Sequence, residues 1–217
     1  MPTITQITVQ KKRANRRSVF LDGVFAFACN VAVVARFRLH EGLTLTPEQV
    51  EAVLAGGVRQ ECFDDALRAI GTRMHGRAEL AKKLARKEYG AAVIASVLDD
   101  LVRLKYVDDA QFAAARARSA ARVKHHGKRR AKVELMRTGV DAATADQALS
   151  DVYGTHDSLA VARELARKQA PRLARLGDPQ AARRRLVGML QRRGFDYEQI
   201  KPVVDEVLGG GGIDEAD

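Results

Sequence analysis

The sequence predicts a mainly α protein, with three tandem three-helix repeats forming a curved elongated array after a small N-terminal β-hairpin and short helices. The first observation is a hydrophobic spacing that occurs three times, starting at Leu84, Leu135 and Leu190. In every copy apolar residues follow after 5, 10, 13, 14 and 17 positions, and the last four form the stripe of an amphipathic helix. The second observation is that capping residues separate these segments at matching places. Small repeats bury little surface alone, so the copies are expected to stack.

The N-terminal region contains the β-prone segments. Threonines favour an extended chain over residues 3–10. In residues 18–28 the pair Asp22-Gly23 separates two apolar runs, and such a pair favours a two-residue hairpin turn because both residues take positive φ. We predict a strand, a polar loop over the basic segment 11–17, a hairpin, and a short helix at 30–37.

The first long helices follow this region. Thr46 precedes a proline and stands three residues before Gln49, which is the pattern of a capping box. This helix is expected to end near the glycine pair Gly56-Gly57. From residue 59 to residue 208 only helices are expected, at 59–73, 77–88, 91–105, 109–125, 128–138, 142–153, 157–175, 179–193 and 197–208.

Helix ends in the repeats carry their own signals. Gly139 and Gly194 each precede a hydrophobic residue, as in a helix stop with a left-handed glycine. The first copy has Glu88 in this place, so Gly90 is expected to end that helix instead. Helix starts carry an aspartate followed by glutamine or proline: Asp108 with Gln111, Asp178 with Pro179, and Asp196 with Gln199.

These signals divide the chain into five parts. We predict an N-terminal region (1–57), three-helix repeats 1 (58–107), 2 (108–155) and 3 (156–208), and a flexible acidic tail (209–217).

Composition restricts the kind of partner and the compartment. The net charge of +10 over 217 residues favours an anionic partner, namely nucleic acid, an acidic protein surface or lipid headgroups. Cys29 and Cys62 form no CxxC pair, so a reducing, cytoplasmic setting is expected. The apolar segment 19–35 after the basic residues resembles a signal peptide, but polar residues interrupt it and no cleavage site follows.

Catalytic and cofactor motifs are missing from the sequence. There is no Walker A loop, no GxGxxG after a strand, no HExxH and no GxSxG. His125 and His126 are adjacent and would point about 100° apart on a helix, which suits joint metal binding poorly. Asp99-Asp100 and Asp108-Asp109 are explained by helix surface and caps. We therefore expect no enzyme activity, no catalytic residue, no metal and no cofactor.

Basic residues are the candidate binding groups. No acid occurs from residue 110 to 133, and cationic helices recur in successive repeats. A basic helix is often only a solvated face, but stacked repeats build extended surfaces that suit a long anionic partner. The predicted contacts are Arg77, Lys82, Lys83, Arg116, Arg118, Arg122, Lys124, Lys128, Arg129, Arg130, Arg183 and Arg184.

The apolar and capping residues of repeats 1 and 2 resemble those of the regulatory protein RecX family, and the likeness extends over most of residues 18–208. The segment VFLDGVFAF resembles the hairpin of longer members, whereas Glu88, Lys105-Tyr106 and the basic segment 11–17 depart from the family pattern. The matching residues are Ala66-Leu67, Arg77, Glu79-Leu80, Lys83-Leu84, Ile94, Val97-Leu98, Leu101, Val107-Asp108-Asp109, Phe112-Ala113, Gly127, Arg130, Glu134-Leu135 and Gly139-Val140.

The resemblance implies a partner and a function. Family members lie in the groove of a RecA–single-stranded DNA filament, block its extension or strand exchange, and damp ATP hydrolysis and co-protease activity. For this chain it implies a monomeric modulator of the RecA recombinase filament that also contacts single-stranded DNA, binds duplex DNA weakly and avoids membranes. Its processes would be DNA repair, DNA recombination and the SOS response.

Two questions stay open at this level. The helix pairs also suit a helix-turn-helix-like regulator that acts directly on duplex DNA, although no dimer seam is evident. The basic residues could meet either DNA phosphates or acidic recombinase surface, and the N-terminal hairpin with its basic loop could contact DNA or only cap repeat 1.

Overall fold

The computed structural model describes residues 1–11 and 13–209. Lys12 of the basic segment and residues 210–217 of the predicted acidic tail lie outside the described residues. The elements are β1 (Ile4–Gln10), β2 (Arg13–Leu21), β3 (Val24–Asn30), α1 (Val31–Arg36), α2 (Pro47–Thr72), α3 (Arg77–Ala85), α4 (Ala91–Arg103), α5 (Asp109–Arg122), α6 (Lys128–Thr138), α7 (Ala142–Tyr153), α8 (Ser158–Ala174), α9 (Pro179–Arg193) and α10 (Tyr197–Leu208).

The N-terminal strands form a three-stranded antiparallel sheet in the order β1-β2-β3. Its β2–β3 turn confirms the hairpin, since Asp22 and Gly23 have φ values of 47° and 81°. The predicted polar loop was wrong from Arg13 onward, because β2 already begins there. Ser18 pairs with Thr8 on one side and with Ala28 on the other. Hydrogen bonds to two neighbouring strands therefore extend β2 through residues whose polarity suggested a loop.

The helix α2 runs unbroken through Gly56-Gly57, so the predicted helix end there was wrong. Its start confirms the capping box, in which Gln49 N donates to Thr46 Oγ1 (3.2 Å) and Thr46 N donates to Gln49 Oε1 (2.8 Å). A Cβ on Gly56 would lie 2.5 Å from Cε2 of Phe37. The glycine is therefore needed for close packing of an aromatic ring against the helix, and it does not end the helix.

The three repeats each have their own buried apolar cluster. Leu84, Leu135 and Leu190, which start the three hydrophobic copies, are 1%, 2% and 0% exposed. The positions 10, 13 and 14 residues later are also buried in every copy, which confirms the repeated helical stripe. These nine residues are Ile94, Val97 and Leu98 in repeat 1, Ala145, Ala148 and Leu149 in repeat 2, and Ile200, Val203 and Val204 in repeat 3.

The helix stops follow the glycine pattern in repeats 2 and 3. Gly139 and Gly194 have φ values of 89° and 88°, as predicted. In repeat 1 the expected stop at Gly90 was wrong. Glu88 itself takes the left-handed conformation with φ of 65°, and Gly90 is the N-cap of α4 with φ of −63°. The backbone shape of the stop is thus kept although its usual residue is replaced.

The chain separates into two compact units. The first contains the sheet, α1, α2 and the chain from Glu79 to Val107. The second contains Gly76–Ala78 and the helices from Asp108 onward, so repeats 2 and 3 belong to one unit.

Candidate binding surface on the basic helices

Charge is distributed unevenly within repeats 2 and 3. The first two helices of these repeats carry most of the lysines and arginines, whereas the third helices carry acids. Helix α7 contains no lysine or arginine and exposes Asp146 and Asp151. Helix α10 carries Asp205 and Glu206 near its end. The availability of a cation therefore depends on whether a carboxylate from the third helix or from a neighbouring turn reaches it.

A group of candidate cations is exposed and lacks an ion pair within the part of the chain that the structure describes. Arg118 and Arg122 stand four residues apart on α5 and therefore share one face. Lys128 opens α6 after the α5–α6 turn. Lys82 and Lys83 on α3 are likewise exposed and have no ion pair in the described chain. We call these five residues the unpaired cations: Lys82, Lys83, Arg118, Arg122 and Lys128.

Arg77 and Arg116 take part in local structure. The Arg77 backbone N donates to Asp109 Oδ1 at 2.7 Å within the second unit. The Arg116 guanidinium lies 5.4 Å from the centroid of the Phe112 ring, in a cation–π contact. Each of these arginines has further interactions besides these, so neither is freely available to a partner.

The Glu134 carboxylate, on α6, contacts three positively charged or titratable groups. It accepts hydrogen bonds from Lys124 Nζ at 3.0 Å and from Arg130 Nε at 3.4 Å. The third group is His126, whose Nδ1 lies 3.1 Å from Oε1 of Glu134. Burial alone would raise the pKa of Glu134, but the hydrogen bond from Lys124 and the nearby positive charges hold it below its usual value. Lys124 and Arg130 thus share the single negative charge of Glu134, with the closer contact to Lys124.

His126 itself is held neutral. Burial is the largest cause that lowers its pKa. Glu134 opposes this effect, and the charges of Arg130, Lys124 and Arg193 add to it. Its carbonyl oxygen accepts a hydrogen bond from the Tyr153 hydroxyl at 2.7 Å. Because α5 ends at Arg122, both His125 and His126 lie in the turn before α6, not on the end of a helix.

The junction of repeats 2 and 3 fixes the start of α6. Gly127 N donates to the Arg193 carbonyl at 2.8 Å, and Arg129 N donates to the Gly194 carbonyl at 3.3 Å. The positive end of α6 thus meets the negative end of α9, a favourable arrangement of helix dipoles. A Cβ on Gly127 would overlap the Gly194 carbonyl and lie 2.5 Å from Phe195 N. Only a glycine permits this backbone contact.

Two arginine side chains bridge the same junction. The Arg130 guanidinium donates to the Arg192 carbonyl at 3.0 Å, and that of Arg193 donates to the Lys124 carbonyl at 3.0 Å. Arg130 therefore supports the packing of the repeats. Arg129 points more freely, with 75% of its side chain exposed and Nε 3.7 Å from Asp196 Oδ1.

Repeat 3 uses several cations internally. The Arg183 side chain is only 13% exposed, pairs with Asp205, and donates to the Gly209 carbonyl at 3.2 Å. Glu206 accepts from Arg163 at 2.7 Å and from Arg167 at 2.8 Å. By contrast Arg184 is 70% exposed and lies 4.0 Å from Asp178. Of the two candidates in this repeat, Arg184 is accessible and Arg183 is structural.

Glu134 was not predicted to pair with Lys124 and Arg130. The i, i+4 spacing of Arg130 and Glu134 was the available signal. The outward apolar residues of α6, Val133 and Met136, which are 49% and 46% exposed, were also not singled out. Their position one turn apart, outside the buried stripe of Leu135, could have revealed them.

Other kinds of site have little support in the described ranges. No cluster of three or more His, Cys, Asp or Glu side chains among these residues could hold a metal ion. Cys29 and Cys62 are free and buried, and burial raises the pKa of both thiols, that of Cys62 to about 11. Across residues 1–11 and 13–209, no helix has the length and apolar character needed to cross a bilayer.

Comparison with known proteins gives matches along the whole described chain. Four family models match in succession: the regulatory protein RecX N-terminal domain at residues 2–46, and the first, second and third RecX three-helix domains at 62–101, 108–149 and 156–204. Three of these models correspond to the three helical repeats.

Individual relatives agree with the family models. The chain is 30% identical to the regulatory protein RecX of Bacillus subtilis over 207 residues, which covers 95% of this chain and 78% of the relative. It is 34% identical to the regulatory protein RecX of Chlorobium phaeobacteroides over 149 residues, covering 69% of this chain and 95% of the relative. A crystal structure of regulatory protein RecX shares the fold, with a TM-score of 0.76, 24% identity, and coverage of 94% of this chain and all of that one.

Proposed function

Because this chain belongs to the RecX family of regulatory proteins, we propose that it is a non-enzymatic negative modulator of the RecA recombinase. In this proposal it binds as a monomer in the groove of the RecA–single-stranded DNA filament, in the cytoplasm. It thereby inhibits filament extension, strand exchange, ATP hydrolysis and co-protease activity.

The observation that carries the proposal is the set of unpaired cations in repeat 2. Arg118, Arg122 and Lys128 are exposed within a segment that contains no acid. They can meet phosphates or carboxylates of a partner without first leaving an ion pair within the described chain. Several such contacts acting together give strong, salt-dependent binding to an anionic filament.

Inhibition follows from occupancy of the filament. A protein that contacts neighbouring recombinase subunits favours the arrangement to which it binds best, and ATP hydrolysis falls if that arrangement is not the one that hydrolyses. A body lying in the groove also obstructs the second DNA strand that exchange requires. No catalytic group on the modulator is needed for either effect.

The charge distribution argues against a helix-turn-helix regulator of duplex DNA. Such a protein inserts its recognition helix into the major groove, among phosphates. In repeat 2 the last helix, α7, exposes Asp146 and Asp151 and carries no cation, so the phosphates would repel it. The cations lie along α5 and α6 instead.

The proposal is tested by binding to three fluorescently labelled probes: a single strand, the same strand coated with RecA, and a duplex. We expect the wild-type protein to bind the coated strand most tightly. The variant Arg118→Gln/Arg122→Gln/Lys128→Gln should lose about tenfold or more in affinity for it, as three charge contacts are removed. Arg130 is a poor probe because its substitution also disturbs the junction with α9.

A matched variant in repeat 3 removes the same charge from exposed positions that carry no ion pair in the described chain: Arg172→Gln/Arg175→Gln/Lys201→Gln. We expect a smaller loss from it, since these residues lie closer along the chain to acids such as Asp178 and Asp205. Equal binding of the wild-type protein to a coated and a bare strand, or tight binding to one duplex sequence, would reject the filament proposal.

A further inference from the structure

The outward face of α6 has an apolar centre with basic residues around it. Its residues follow the spacing i, i+3, i+4, i+7 and i+8, and so form a stripe on the side opposite the buried Ala131 and Leu135. A shallow depression of about 550 Å³ is lined by the five residues of this outer stripe: Arg129, Lys132, Val133, Met136 and Arg137.

The apolar pair is exposed in a helix whose other large apolar residue is in the core. Val133 and Met136 are 49% and 46% exposed, while Leu135 is 2% exposed. They contribute nothing to the buried cluster of repeat 2. Single exposed apolar residues are common, but a pair one turn apart inside a depression is typical of a contact surface.

Repeat 2 alone carries this pair. The shared register places Lys82 and Ala85 of repeat 1 at the positions of Val133 and Met136. In repeat 3 the same positions hold Gly188 and Gln191. The repeat architecture therefore does not require an outward apolar pair at these positions of α6.

The rim of the outer stripe is cationic. Arg129 is 75% exposed, and its one ion pair, with Asp196, is long at 3.7 Å. Arg137 is exposed and has no ion pair in the described ranges. Lys132 is neutralised by Asp146 at 2.6 Å. A partner that fits this surface has apolar side chains at its centre and carboxylates toward the two arginines.

These features favour protein over nucleic acid as the occupant. Phosphates match the arginines but leave the aliphatic pair without a counterpart, and the stripe offers no aromatic ring on which a base could stack. Burying aliphatic side chains is favourable only against another apolar surface. We propose that the outer stripe of α6 docks on an apolar, acid-rimmed surface of the recombinase protein, and not on its DNA. This inference rests on the proposed function.

The docking gives the modulator two kinds of contact with different chemistry. The outer stripe recognises protein through apolar burial, which salt weakens little, while the unpaired cations bind through charge, which salt screens strongly. The apolar contact therefore accounts for preference for a coated strand over a bare one.

The test is the variant Val133→Gln/Met136→Gln, which replaces both apolar side chains with an uncharged polar one. Glutamine is a good helix former, so the thermal midpoint should match that of the wild-type protein. The matched control is Leu54→Gln/Val58→Gln on α2, an exposed apolar pair four residues apart where the α6 pair is three apart, 45% and 46% exposed. Affinity is measured by fluorescence anisotropy on a labelled single strand, bare and RecA-coated, at moderate and high salt.

We expect the α6 variant to lose about tenfold in affinity for the coated strand, as two aliphatic contacts are lost, with no change on the bare strand. The control should bind both probes like the wild-type protein, and Val133→Leu/Met136→Leu should restore binding. Unchanged affinity of the α6 variant for the coated strand, or equal losses on both probes, would overturn the inference while the proposed function stands. Failure of the wild-type protein to prefer the coated strand would overturn the proposed function, and this inference with it.

Discussion

Repeats 2 and 3 are both rich in arginine and lysine, but they use these residues differently. In repeat 3 the acids of α10 reach back to the first two helices, where Glu206 holds Arg163 and Arg167, and Asp205 holds Arg183. In repeat 2 the described acids of α7 form one such pair, between Asp146 and Lys132. The number of cations therefore does not locate a binding surface, whereas the position of neighbouring carboxylates does.

The difference has energetic consequences of two kinds. An exposed ion pair contributes only about 0–1 kcal/mol to stability, but it cancels the local charge that a partner would sense. A partly buried pair such as Arg183–Asp205 also links α9 to α10, and removing the arginine leaves a partly solvated carboxylate without its partner. The paired cations of repeat 3 thus stabilise the fold, whereas the unpaired cations of repeat 2 are free of such a role.

Repeats 2 and 3 are joined at Gly127 and Gly194, and the largest expected effect comes from breaking this junction. The variant Gly127→Ala should lower the free energy of unfolding by about 3 kcal/mol, since its Cβ would overlap backbone atoms of α9. Gly71→Ala is the control, because a Cβ there meets nothing within 4 Å. It should change stability by less than 1 kcal/mol or raise it. Urea denaturation of both variants is the measurement, and a Gly127→Ala variant as stable as the wild-type protein would show that the junction can relax.

Substituting one structural arginine and one available arginine separates the two roles. Arg183→Gln should lower the free energy of unfolding by about 2 kcal/mol, because it removes hydrogen bonds to Asp205 and to the Gly209 carbonyl. Arg122→Gln should change it by less than about 0.5 kcal/mol. Denaturation and filament binding are measured on both proteins. A destabilised Arg122→Gln with unaltered binding would reverse the assignment.

The salt dependence of DNA binding should also differ between variants of repeat 2 and repeat 3. Each phosphate contact to a single strand contributes about 0.7 to the slope of log affinity against log salt concentration. Substituting Arg118, Arg122 and Lys128 with glutamine should therefore reduce the slope by about 2 for a bare strand, if phosphates are the counterparts. The repeat 3 triple variant should reduce it less. Equal slopes for the two variants would mean that acids nearby along the chain do not lower the availability of an exposed cation.

The smallest expected effect concerns pH at the junction. The pKa of His126 is lowered in the folded protein from its ordinary value of 6.5 by burial and by nearby cations. The unfolded chain then binds a proton more readily, so stability is retained above about pH 6.5 and decreases as the pH falls below it. His126→Gln should reduce the slope of stability against pH between pH 7 and pH 5. Denaturation at several pH values tests this, and an unchanged slope would show that His126 does not contribute to the pH dependence of stability.

The repeat register and the helix caps could be predicted because they depend on local sequence. The spacing from Leu84, Leu135 and Leu190 and the pairing of Thr46 with Gln49 involve residues close along the chain. Helix periodicity and capping act over a few residues, so a single sequence contains the necessary information.

What could not be predicted depends on contacts distant in sequence. Gly56 packs closely against the Phe37 ring, which is distant in sequence, so a packing role for this glycine could not be predicted from its neighbours. The early start of β2 depends on pairing with two other strands. Among candidate binding residues, Arg183 could not be recognised as structural because Asp205 is twenty-two positions away. The ion pair between Arg130 and Glu134, by contrast, could have been predicted from their i, i+4 spacing on one helix.

If this protein restrains the recombinase through its filament, as proposed, ATP hydrolysis by RecA on single-stranded DNA will respond to it. Stoichiometric wild-type protein at moderate salt should lower the rate of hydrolysis. The Arg118→Gln/Arg122→Gln/Lys128→Gln variant should need about tenfold more protein for the same effect, and the repeat 3 triple variant less than that. Hydrolysis that is unchanged by the wild-type protein under these conditions would contradict the account.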